Sequence, residues 1–186
     1  GFLRHPWHSC FLRKSMWVSK DYLLPTWRLE VLPRHQRALY FDGGASLYGE
    51  GGGGASQSWF IETYARHGLS FDRIVAWEPK NYTEEEILKP LPTPLREQTR
   101  VHRSPPTSIT DIKQAAEKLS YFNFGIDGAR RSMRNPLTFV RALARPEDFV
   151  VFKLDVDVPH IEIAIVKQLL ADRQLAALID EFYCSC

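Results

Sequence analysis

Cysteine is scarce in this chain of 186 residues: there are three, Cys10, Cys184 and Cys186. An odd, sparse set excludes a disulfide framework, and Cys184-Ser185-Cys186 lacks the Cys-x-x-Cys spacing of zinc and redox motifs, so free structural thiols are expected. No apolar run approaches the roughly 18 residues of a membrane span, and none is expected. An excess of one charge is also missing. At a net +2 the chain has no general attraction for nucleic acid. Its short basic clusters (Arg34, His35 and Arg37; Arg130, Arg131 and Arg134) read as solvated faces rather than a phosphate-binding stripe. The first residue is Gly1 rather than methionine, which reads as a fragment or a processed form and leaves compartment and oligomeric state open.

What is present is an alternation of apolar runs and helical patterns. Residues 1–36 carry scattered prolines and the aromatics Trp7, Trp17 and Trp27 without clean periodicity, and read as an irregular N-terminal extension to a domain over 37–186. Residues 38–42 (ALYFD), 73–78 (RIVAWE) and 149–155 (FVVFKLD) read as buried strands, 99–103 (TRVHR) as a weaker one and 177–183 (ALIDEFY) as the last. Between them, helices are expected over 56–67, from the capping box at Thr83, over 111–119, from Asn135-Pro136 and over 161–170. Strands that are apolar throughout, alternating with helices, imply an α/β fold: a doubly wound, mostly parallel sheet with helices on both faces, read here as ending after its fifth strand.

Seven of the eleven glycines fall in residues 41–60 (FDGGASLYGEGGGGASQSWF). A triphosphate-binding loop needs Gly-x4-Gly-Lys-Ser/Thr, and both near-matches lack the lysine: Gly49 is followed by Glu50, and Gly54 by Ala55. A dinucleotide fingerprint can be forced onto Gly49, Gly51 and Gly54, but it should open directly after the strand, where Asp42-Gly43-Gly44-Ala45-Ser46 stands instead. An acid at the strand tip repels a pyrophosphate, whereas it suits the sulfonium and ammonium cations of S-adenosylmethionine, which carries no phosphate. Glu78 ends the next strand at about the distance, some 20 residues on, where an acid accepts ribose hydroxyls.

Lys153, Asp155 and Asp157 alternate at the end of the 149–155 strand, which places them on one side if the alternation continues. Charges at the end of a buried strand need compensation, by an internal Lys–Asp pair or by a functional site. Asp155, Asp157 and Glu162 also make a conceivable carboxylate set, but no metal site is argued from them.

Three stretches together resemble FkbM-type methyltransferases: Asp42-Gly43-Gly44-Ala45-Ser46 after a strand, Trp77-Glu78-Pro79, and ValValPheLysLeuAspValAsp (150–157) before Ile161-Glu162. Asp157, Val158 and Pro159 depart from the family's Glu-Gly step. The resemblance implies a Rossmann-like, S-adenosylmethionine-dependent enzyme that methylates a hydroxyl of a sugar or small-molecule acceptor. It implies that Asp42, Gly44 and Ser46 line the methionine end, that Glu78 holds the ribose and that Asp155 and Asp157 lie near the sulfonium, at the floor of the acceptor site. Asp157 and His160 are then the candidates to take the hydroxyl proton. Two other readings stand beside it, a non-catalytic Rossmann-like binding domain and a nicotinamide-dependent oxidoreductase.

Overall fold

Two wholly buried strands form the centre of the molecule. Ala38–Gly43 (β2) and Phe149–Leu154 (β6) pair in parallel, from Ala38 against Phe149 to Gly43 against Leu154. Strands buried on both sides need cover on both faces of the sheet. The computed structural model describes residues 2–4, 37–50, 56–115 and 117–184. In it, Phe2–Arg4 forms β1, Arg73–Trp77 β3, Thr99–His102 β4, Leu119–Phe122 β5 and Glu181–Cys184 β7. The order across the sheet is β1-β7-β6-β2-β3-β5-β4, and every neighbouring pair is parallel.

The helices divide between the two faces. Gln57–Arg66 (α1), Glu84–Leu88 (α2) and Thr93–Arg96 (α3) bring Phe60, Tyr64, Ile87 and Leu95 onto the face of Tyr40 and Tyr121. Phe60 stacks on Tyr40 with ring centroids 5.1 Å apart. Ile109–Gln114 (α4), Pro136–Leu143 (α5), Pro159–Ala171 (α6) and Arg173–Ala176 (α7) cover the other face, where Trp77 meets Phe139 edge-on at 4.9 Å. Local sequence sets the helix starts. Ser56 accepts from the Trp59 N–H, Thr83 and Glu86 form the expected capping box, and Asn135 caps α5 ahead of Pro136.

The fold is therefore the expected doubly wound, Rossmann-like α/β architecture. Its switch point is the gap between β2 and β6: the chain leaves β2 toward β3 on one side and later returns to β6 on the other.

Several details correct the sequence reading. Among the described residues the sheet has seven strands rather than five, and it continues past β7 to β1. The helix expected over 111–119 starts earlier, at the Ser108–Asp111 capping box, and ends at Gln114 because Ala115 turns extended (φ −65, ψ 103). Leu119 instead opens β5, paired with Ile74 and Thr99. The last strand begins at Glu181, the preceding residues being taken up by the turn that leaves α7. Cys184 is disulfide-bonded, so the expectation of free thiols fails for it. Apart from Phe2–Arg4, the N-terminal extension and its boundary after residue 36 lie outside the described residues, as do Gly51 to Gly54. Among the described residues, no helix is long and apolar enough to cross a membrane.

Candidate functional site

Ligands of open parallel sheets sit beyond the carboxyl ends of the strands at the switch point. Asp42 and Lys153 are register partners there, on the same face of β2 and β6. Lys153 Nζ donates to Asp42 Oδ1 at 2.8 Å and to the Gly44 carbonyl at 2.8 Å, and Gln57 Nε2 reaches Asp42 Oδ2 at a longer 3.4 Å. Asp42 is 0% exposed and Lys153 5%. Isolated, either charge would be costly to bury; each compensates the other. The Asp42 carboxylate is thus buried and held by Lys153 and Gln57, and its link to the loop runs through Lys153.

The turn that follows is tightly constrained. Gly44 has φ +82, and a Cβ on it would stand 1.8 Å from the Asp155 carbonyl oxygen, so only glycine fits. The Asp155 N–H donates to the Gly43 carbonyl at 2.9 Å, joining the two loops across the switch point. The Gly44 and Ala45 N–H groups both donate to the Trp77 carbonyl at 3.0 Å. Ser46, left-handed at φ +53, donates its N–H to Glu78 Oε2 at 2.9 Å, and its carbonyl accepts from the Tyr121 hydroxyl at 2.7 Å. A phosphate cradle is made of backbone N–H groups aimed at the ligand. Here the three consecutive N–H groups of Gly44, Ala45 and Ser46 are all taken by the protein itself.

Glu78 closes this turn from the end of β3. It is half-buried, and its other oxygen accepts the Lys80 N–H at 3.0 Å. A carboxylate offers about four lone-pair positions, so two hydrogen bonds leave acceptor capacity for a ligand. Burial, reinforced by the charges of Glu78 and Asp42, pushes the Tyr121 hydroxyl far up, so it remains a protonated donor to Ser46. Beside it, Asn123 donates to the Tyr82 carbonyl at 2.7 Å, an atom that Arg103 also reaches at 2.8 Å.

On the β6 side the expected row of charges separates. Asp155 is half-buried just past the strand end. The alternation stops at Leu154, and Asp157 turns left-handed at φ +55 and stands exposed. Ser46 and Asp157 are the non-glycine residues of positive φ among the described ones, one on each loop at the switch point. Such backbone strain concentrates where the surrounding structure enforces it, often at functional sites. His160 is exposed on the first turn of α6. Glu162 is buried and accepts the Val156 N–H at 2.9 Å instead of joining Asp155 and Asp157. Among the described residues, no group of three His, Cys, Asp or Glu side chains is arranged to hold a metal ion.

The structure therefore brings Asp42, Gly44, Ser46, Glu78 and Asp155 together around one turn and leaves Asp157 and His160 at its margin. The sequence reading missed Tyr121 and Gln57. Tyr121 lies on a strand four residues long, and the short LSYF run (119–122) was the signal available for it.

Fold and site together define a Rossmann-like α/β domain with a constrained glycine turn at its switch point. Compared with known protein families, with curated proteins and with solved structures, the chain matches none.

Proposed function

We propose that the chain is an S-adenosylmethionine-dependent methyltransferase acting on a hydroxyl of a sugar or small-molecule acceptor, as its resemblance to FkbM-type enzymes implies. One observation carries the reading: the half-buried Glu78 carboxylate keeps acceptor capacity beside a turn whose N–H groups are already spent. Ribose hydroxyls suit such a place, and a pyrophosphate does not, which sets the nicotinamide-dependent reading behind it.

When bound, S-adenosylmethionine supplies an activated methyl group on a sulfonium cation. In this reading Glu78 holds the ribose and Asp155, across β2 from it, offers a carboxylate to the cationic end. Gly44 and Ser46 shape the wall between them, and Asp42 acts through Lys153. Alignment of acceptor and methyl group supplies most of the acceleration, and a base is needed only for the hydroxyl proton. Asp157 and His160 stand nearest to that role along the chain.

The non-catalytic binding domain remains the second reading, favoured by a specific observation: the candidate bases Asp157 and His160 both stand exposed at the margin of the turn. Titration calorimetry with S-adenosylmethionine, S-adenosylhomocysteine and NAD separates the readings, with Glu78→Ala as control. The methyltransferase reading expects both sulfur nucleosides to bind, NAD not to bind, and the control to weaken binding about tenfold or more, as loss of charge-assisted hydrogen bonds does. No detectable S-adenosylhomocysteine binding at millimolar ligand would remove the cofactor, and the reading with it. Binding without methylation of any hydroxyl acceptor would favour the binding domain.

A further inference from the structure

The turn after β2 is gripped from both sides. Lys153, on β6, donates to the Gly44 carbonyl at 2.8 Å, and Tyr121, on β5 at the other side of β2, donates to the Ser46 carbonyl at 2.7 Å. Neither side chain lies in the turn's own sequence. Each takes an alternate carbonyl, and the residue between them, Ala45, is 2% exposed.

We infer that Lys153 and Tyr121 are positioning residues: by drawing the Gly44 and Ser46 carbonyls into the sheet, they turn the N–H groups of residues 44–46 onto Trp77 and Glu78 and so fix the polarity of the turn. A turn with its carbonyls released could rotate its amides outward and become a donor surface for anions. Held as it is, it presents Glu78 as the acceptor and selects a ligand that donates. This deepens the proposed function and rests on it for the identity of the ligand, but the tethers themselves belong to the ligand-free protein.

Tyr121→Phe removes one tether by deleting a single hydroxyl. Lys153→Met would strand the Asp42 charge and endanger folding, so the second tether is removed in the double variant Asp42→Asn, Lys153→Met. The first readout is hydrogen exchange of the Gly44, Ala45 and Ser46 amides in the ligand-free full chain. We expect these amides to exchange about threefold to tenfold faster in each variant, the weight of one hydrogen bond, beyond any acceleration that the variant's loss of global stability imposes on the β2, β3 and β6 amides. Wild-type rates at residues 44–46, or a uniform acceleration across the sheet, would overturn the inference. The second readout is the affinity for S-adenosylhomocysteine, measured well below each variant's unfolding midpoint. A positioning role lowers that affinity by a similar factor, and a loss of thermal stability with unchanged affinity overturns it. If wild-type protein binds no S-adenosylhomocysteine, the methyltransferase reading falls, and the exchange rates alone decide on the tethers.

Discussion

Lys153 and Asp42 face each other across β6 and β2 as a buried ion pair, Nζ to Oδ1 2.8 Å, with side chains 7% and 0% exposed. Removing one partner of such a pair leaves the other as an uncompensated buried charge. Lys153→Met is expected to destabilise the domain by about 3–5 kcal/mol, and the charge-free double variant with Asp42→Asn by clearly less. Urea unfolding of the two proteins decides it; equal losses would mean that the pair does not hold a buried charge in balance.

Gly44 and Gly49 share a backbone conformation, both at φ +82, but not their surroundings. A Cβ at Gly44 meets the Asp155 carbonyl oxygen at 1.8 Å, whereas at Gly49 the nearest atom is Ser58 Oγ at 4.0 Å. Gly49→Ala is expected to cost only the left-handed penalty, about 1–2 kcal/mol. Gly44→Ala adds a clash between two backbones that cannot move independently, and should exceed about 3 kcal/mol. Thermal or chemical unfolding of the pair tests the difference, and a Gly44→Ala protein as stable as Gly49→Ala would contradict the close approach of the two loops.

His102 stacks on Phe122 at 4.5 Å, half-buried at the end of β4. Desolvation is the main cause holding its imidazole below the ordinary value of 6.5; Arg100 and Arg73 push it the same way, and Glu117 opposes them. A depressed folded-state value means that the unfolded chain binds the proton more readily. The contribution of His102 to stability is therefore complete above the unfolded value and is lost as pH falls through the folded one. The unfolding midpoint should fall as pH drops through and below about 6.5, and less steeply in His102→Gln. Identical pH profiles would show that this imidazole does not titrate differently on folding.

Much of the architecture was readable along the chain. The runs at 38–42, 73–78 and 149–155 are apolar enough to announce buried strands, and the caps at Ser56, Thr83 and Asn135 are satisfied by residues a few positions away. These are local effects: period, capping and side-chain transfer out of water act within a turn or two. Leu119–Phe122 escaped because four residues give too little alternation, and Leu119 also fits a helical spacing.

The candidate site was half readable for the same reason. Its residue types and their order after β2, β3 and β6 belong to the sequence. Their roles do not. Whether the Asp42 carboxylate meets a ligand or a lysine depends on its register with a strand 111 positions away. That Asp157 leaves the row of Lys153 and Asp155 follows from where pairing with β2 ends. The polarity of the glycine turn is set by Trp77, Glu78, Tyr121 and Lys153, contributed by three other strands. Hydrophobic pattern alone determined that this chain folds as a doubly wound α/β sheet, because burial rewards each segment locally. Only the tertiary structure decided which polar groups at its switch point are spent on one another and which keep acceptor capacity, because hydrogen bonds and buried charges are satisfied between segments that the sequence holds far apart.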